Sequence, residues 1–346
     1  MATFFEEIKS PGSIVESPSR RRVLGMLGVA AASPLAPSFA RAQSGKSVMR
    51  ISHVLAEQDN VHRALLRFKD NVEKKSDGQL EVQIYANSTL GSLRVTFESM
   101  QLGNLEAGIW DAGTPSNVVP AWAIHELPYI YRDLVHVHKI IDGPVGNQLE
   151  KMLLEKVKIR TLAIYDTTFR KIFTRPKPIN SLADMKGMRI RVPEVQSYVR
   201  CMQLLGANPA PIPWGELYTS LETGVVEGFE NKCEAAFNAK LHEQTKFAAY
   251  TGHIFVVNPL MVSERWFGGL PKRIQQVVLD AAAESLAWQR VEAPESEKKF
   301  EQGMKEAGVT FSRPDPAPFR AAVEPYYKEF GTKFNASELI KRVRET

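Results

Sequence analysis

Two periodicities interleave along most of this chain. Residues 49–55 (MRISHVL) and 80–85 (LEVQIY) alternate apolar and polar side chains, which predicts half-buried strands. Between them, Leu65, Phe68 and Val72 recur at helical spacing over 61–75, and Ser76-Asp77-Gly78 closes that helix with turn chemistry. Further helices are predicted over 93–102, stopped by Gly103-Asn104, and over 134–155, broken near Gly143-Pro144. Strands are predicted at 107–110 and 157–165, with residues 127–133 as a loop. After residues 169–174 and the turn-rich link Arg175-Pro176-Lys177-Pro178 come a strand at 188–192 and a helix at 194–205. A short helix at 215–223 and strands at 225–230 and 255–262 follow. Strand and helix alternate throughout, so the fold class is α/β.

The clearest helix is 270–288. Pro271 sits in its first turn, and Ile274, Val277, Val278, Ala281, Ser285 and Trp288 form one stripe. Helical patterning continues towards Ala307 with Pro294 in the middle, where a missing N–H should bend the helix. Such a helix is long enough to cross between two lobes.

The N-terminus follows different rules. Ser19-Arg20-Arg21-Arg22-Val23-Leu24 precedes a short apolar stretch, 23–33, then Pro34, Pro37 and Ala40-Arg41-Ala42. A basic segment, an apolar segment and a small-x-small site, with twin arginines, predict a cleaved twin-arginine (Tat) export signal over 1–42 and a periplasmic location. No cysteine lies near the cleavage site for lipid attachment. No later stretch approaches the ~18 apolar residues a membrane span needs.

Composition narrows the function. The 346 residues, 44% hydrophobic and 24% charged, suit about two domains and exclude a disordered or fibrous chain. A net charge of +5 with no long Lys/Arg-rich run argues only weakly for nucleic acid. Two cysteines, Cys201 and Cys233, exclude a disulfide scaffold and read as buried thiols. The sequence contains no glycine-rich phosphate loop, Gly-x-Ser-x-Gly, His-Glu-x-x-His or Cys-x-x-Cys. His136 and His138 lie on different sides of a helix, a poor pair for one metal. These silences favour a protein that is not an enzyme and needs no cofactor or metal.

What remains is basic and aromatic. Arg170 follows a strand pattern, and Arg189 and Arg191 share one face of the next strand, just before Pro193. A guanidinium can grip a carboxylate with two parallel hydrogen bonds. Trp214 sits in a Pro-Ile-Pro-Trp-Gly loop where its ring could cover a ligand. Asn231, at the end of a strand, offers a donor and an acceptor.

At these residues the sequence resembles the solute-binding component of a TRAP (tripartite ATP-independent periplasmic) transporter, the DctP-like family. The resemblance rests on residues 179–194 (INSLADMKGMRIRVPE), 205–214 (LGANPAPIPW) and 224–231 (GVVEGFEN), with weaker matches at Leu90-Gly91, 127–129 and Leu270-Pro271. It implies a two-lobed periplasmic binding protein with a ligand cleft between lobes, hinge strands and a long lobe-crossing helix. The lobes are expected at 49–168 plus 257–290 and at 169–256 plus 291–340. The arginine of Arg-Val-Pro, Arg191, should hold a ligand carboxylate. Arg170, Asn231, Trp214, Asp111 and Glu194 complete the expected ligand set. Phe229 and Lys232 depart from the family's frequent Gly-Gln-Glu-Asn-Pro. The resemblance implies TRAP membrane subunits as partners, with the binding protein a monomer. Apolar cover plus hydroxyl partners suits a sugar acid such as a uronate, or a hydroxy or keto monocarboxylate, better than a dicarboxylate. A Tat-exported enzyme and a ligand-sensing subunit of the same fold are the alternatives.

Overall fold

The computed structural model describes residues 46–346, and the predicted export signal lies outside the described residues. The strands, in chain order, are β1 (Ser47–Ser52), β2 (Leu80–Tyr85), β3 (Ala107–Ile109), β4 (Ile159–Phe169), β5 (Lys171–Thr174), β6 (Arg189–Val192), β7 (Asn208–Pro211), β8 (Gly228–Asn231), β9 (Phe247–Ala249), β10 (Phe255–Ser263) and β11 (Thr310–Ser312). They form two sheets, ordered β2-β1-β3-β10-β4 and β11-β9-β5-β8-β6-β7. Each sheet has a parallel set, β2-β1-β3 in the first and β8-β6-β7 in the second. This is the expected mixed α/β, two-lobed architecture.

The chain passes between the sheets along neighbouring extended segments. β4 runs through Arg170 into β5, and β9 returns through residues 250–254 into β10. The two passages bind each other. Arg170 N–H donates to Ile254 O (2.8 Å), and Gly252 N–H donates to Arg170 O (3.1 Å).

A third connection is the helix Lys272–Glu306, whose 35 residues span about 50 Å. Its first half buries Ile274, Val278 and Ala281 in the core of the first sheet, while Met304 packs in the core beside the second. Gln289 fixes its middle, donating to Asp166 O (2.6 Å) and accepting from Asp166 N–H (3.0 Å). Pro294 lies inside the helix, which continues on both sides of it.

The helices Asn60–Lys75 and Leu93–Gln101 lie within a residue of their expected ends, because Asp59 and Ser92 cap them. Three regions go beyond the sequence reading. The strand expected at 225–230 begins only at Gly228, since Val226 N–H turns back to Ser220 O (3.2 Å) at the preceding helix end. β7 carries two prolines and sits at a sheet edge, where a missing N–H costs no ladder bond. The helices Pro316–Phe334 and Ser337–Glu345 close the chain. Phe319 and Val323 pack on the second sheet's side, whereas Tyr326, Tyr327 and Phe330 enter a core shared with β10 and the helix Pro144–Val157.

Candidate ligand site

The carboxyl ends of the parallel strands converge on one cavity. His53 follows β1, Trp110 and Asp111 follow β3, Pro193 follows β6 and Lys232 follows β8. Strand ends of this kind are where open α/β sheets place ligands. The cavity has about 650 Å³ of empty volume, part of it open to solvent. Arg170, Arg191, Trp214, Asn231 and Asp111 all line it. Glu194 does not. It stands exposed at an adjoining pocket of about 380 Å³, which shares Arg191, Trp214 and Asp111 with the first cavity.

The two arginines differ in what already holds them. Arg170 donates through Nη2 to Glu230 Oε1 (2.8 Å) and to Glu230 O (2.6 Å), and its Nε also pairs with the Glu230 carboxylate. Burial opposes its charge, but Glu230 together with Tyr198 and Asp111 outweighs burial and raises the Arg170 pKa. The ring of Tyr198 lies under the guanidinium, 5.2 Å away. His253 Nε2 approaches Glu230 from another side (3.5 Å), and burial lowers its pKa, favouring the neutral ring.

Arg191 is only 3% exposed, yet it has no carboxylate within ion-pair distance among the described residues. Its Nε donates to Ile212 O (2.8 Å), and neither terminal nitrogen has a hydrogen-bond partner among the described residues. Trp214 stacks against it at 5.6 Å. Burial pulls its pKa down to about 10, only partly offset by Glu230, and Arg170 pushes the same way as burial. The guanidinium is still charged at neutral pH, desolvated and short of a partner.

Arg189, two residues earlier on β6, is not part of the site. Its guanidinium donates to Val225 O (3.1 Å) and Gly224 O (3.3 Å) on the exposed rim.

Asp111 accepts from Thr114 N–H (2.9 Å) and Thr114 Oγ1 (2.6 Å) through Oδ1. Burial raises its pKa despite those bonds. Asn231 Oδ1 accepts from Lys232 N–H (2.8 Å), which leaves its amide nitrogen as the available donor. The sequence reading missed His53, Thr167 and Asn258 as lining residues and treated Lys232 as a pattern departure only. His53 and Lys232 carry one readable signal, their place immediately beyond a parallel strand. Cys201 and Cys233 are free and buried, as expected. Among the described residues no acidic, histidine or cysteine cluster could hold a metal.

Two discontinuous lobes joined by crossing strands, with a desolvated cation in the cavity between them, define a solute-binding protein. The chain belongs to the bacterial extracellular solute-binding protein family 7 (DctP), which it matches over residues 51–333. It is 29% identical over 289 residues to the 2,3-diketo-L-gulonate-binding periplasmic protein YiaO of Escherichia coli (strain K12), covering 84% of this chain and 87% of that one. It is 31% identical over 332 residues to the C4-dicarboxylate-binding periplasmic protein DctP of Rhodobacter capsulatus, covering 92% and 96% respectively. A TRAP periplasmic solute-binding protein from Xanthobacter autotrophicus Py2, solved with bound β-D-galacturonate, superposes with a TM-score of 0.82 at 31% identity, covering 86% of this chain and 99% of that one.

Proposed function

We propose that this protein captures a sugar acid in the periplasm and delivers it to the membrane subunits of a TRAP transporter. Arg191 clamps the ligand carboxylate with its two terminal nitrogens. Trp214 covers the ligand, and Arg170, Asn231 and Asp111 meet its oxygens, with Glu194 at the mouth of the cleft. The protein acts as a monomer, performs no catalysis and closes its lobes, 49–168 plus 257–290 and 169–256 plus 291–340, on the ligand.

One observation carries the reading: Arg191 is a buried cation with unused donors lining the cavity at the strand ends. A buried charge without a partner is costly, and a carboxylate supplies the partner. The galacturonate in the Xanthobacter protein and the name of the Escherichia coli relative support a sugar acid. The membership of β1–β4 and β10 in one sheet and β5–β9 and β11 in the other supports the lobe boundaries up to the C-terminal helices.

A C4-dicarboxylate is the second reading, favoured by the identity to the Rhodobacter protein. Thermal unfolding of the mature protein against D-galacturonate, D-glucuronate and succinate separates the two. At 100 times Kd a ligand adds about 2.7 kcal/mol, a shift of several degrees. A shift with the uronates that exceeds the shift with succinate is expected. A larger shift with succinate would favour the second reading, and no shift with any acid would refute both.

A further inference from the structure

Three cations border this cavity, and their partners differ sharply. Arg191 has no acidic partner and Arg170 has one, Glu230. Lys232 has two. Its Nζ lies 2.9 Å from Asp59 Oδ2 and 3.0 Å from Glu234 Oε2. Lys232 is 4% exposed, and neither carboxylate is more than 1% exposed. Removing them from water is compensated only by each other and by the hydrogen bonds around them.

Those bonds are extensive. Asp59 Oδ1 also accepts from Val61 N–H (3.0 Å) and caps the helix Asn60–Lys75. Glu234 Oε1 accepts from Asn60 N–H (2.8 Å) and from Ser296 Oγ (2.7 Å) on the long helix, and Asn60 Nδ2 bonds its other oxygen. The network joins the segment after β1 to the segment after β8. It is fixed in place from both sheets and the helix.

The consequence is electrostatic. One ammonium against two carboxylates leaves the trio with a formal charge of −1. Lys232 can still offer an N–H to a neutral hydroxyl, but it is not a free counter-charge. Position separates this end from the clamp. Arg191 pairs with Phe229 across β6 and β8, and Lys232 lies three residues further along, about 10 Å at the rise of a strand. His53, also facing the cavity, adds no compensating charge. Its Nε2 is engaged with His62 Nδ1 (2.9 Å), and burial pulls its pKa down to about 3.

We propose that Lys232, held between Asp59 and Glu234, is a specificity residue that admits an acid ending in a hydroxyl and rejects one ending in a second carboxylate. This inference rests on the sugar-acid reading of the same cavity. Rejection works by repulsion, not by steric exclusion. Of the trio only Lys232 lines the cavity, so a second carboxylate would lose its water for an ammonium that Asp59 and Glu234 already over-neutralise, which is discrimination built against the wrong ligand.

D-Galactonate and galactarate test this directly, because they share a carbon chain and differ only in oxidation of the far terminal carbon. By isothermal titration calorimetry the wild type is expected to bind galactonate at least 100-fold more tightly than galactarate. Glu234→Gln and Asp59→Asn each remove one negative charge with little change of shape. Each is expected to narrow that ratio at least tenfold, mainly by strengthening galactarate. Circular dichroism verifies that both variants fold. A wild type that binds galactarate as tightly as galactonate overturns the proposal without any variant. Unchanged ratios in the folded variants also overturn it. A wild type that binds galactonate, galactarate and the uronates not at all overturns the sugar-acid reading, and this inference with it.

Discussion

Replacing Arg191 by methionine should make the ligand-free protein more stable while it destroys binding. The guanidinium is buried, lacks a carboxylate and keeps one hydrogen bond, from Nε to Ile212 O. Its pKa is pulled down to about 10, a penalty on the charged form of about 3 kcal/mol. Arg191→Met removes that penalty and loses one hydrogen bond, worth about 1 kcal/mol. Methionine retains most of the apolar stem that packs beside Trp214. The net gain is about 2 kcal/mol, which raises the melting temperature by roughly 3 °C. The same variant leaves a ligand carboxylate without its cation, at a cost of about 3–5 kcal/mol, so a ~1 μM ligand weakens to between about 0.2 and 5 mM. Thermal unfolding with and without D-galacturonate reads both effects. A variant less stable than the wild type, or one that keeps the galacturonate shift, would refute the reasoning.

The other predictions concern the surrounding charges and the packing. Glu230→Gln strips the buried Arg170 of its carboxylate and should cost about 3–5 kcal/mol, seen as a lower denaturant midpoint. Burial pushes the Asp59 carboxyl up to about 6, with Glu234 acting in the same direction and Lys232 opposing. Below pH 6 the trio therefore gains a proton, and the preference for galactonate over galactarate should narrow in titrations at pH 5 compared with pH 7. His125 is buried against Tyr131 Oη (2.6 Å), and burial pulls its pKa down to about 4. The unfolded chain takes up that proton near pH 6.5, so the contribution of His125 is lost as pH falls towards 4. The stability gap between wild type and His125→Gln should shrink by about 2 kcal/mol from pH 7 to pH 5 in urea titrations. A Cβ added at Gly113 would overlap Glu126 Oε2 and Val195 Cγ1. Gly113→Ala should cost about 1–3 kcal/mol and loosen the bonds from Ser197 and Tyr198 to Glu126.

How much of this was legible in the sequence depended on whether the governing interaction was local. LEVQIY reads as a strand because its own alternation matches a face buried at Leu80 and Val82. The helix capped by Asp59 announces itself through apolar spacing. β7 was hidden because proline argues against a strand, and only its place at a sheet edge permits one. The helix Pro316–Phe334 carries weak amphipathic patterning and divides its apolar residues between two cores, so neither core is apparent from one stretch.

The site followed the same rule. Strand periodicity puts Arg189 and Arg191 on one face, but it could not tell that the first would reach the rim and the second the cavity. That difference comes from β8 and the Trp214 loop packing beside β6. Lys232 showed only as an unusual residue after Asn231. Its partners are Asp59, 173 positions earlier, and Glu234, two positions later. A charge balance assembled over that separation is invisible to any window along the chain.

The most direct test of the clamp is a crystal structure of the mature protein grown with D-galacturonate. The expected result is a carboxylate bridged by the two terminal nitrogens of Arg191, beneath Trp214, with the ring hydroxyls directed towards Asn231 and Lys232. Galacturonate bound with its carboxylate away from Arg191 would contradict the account.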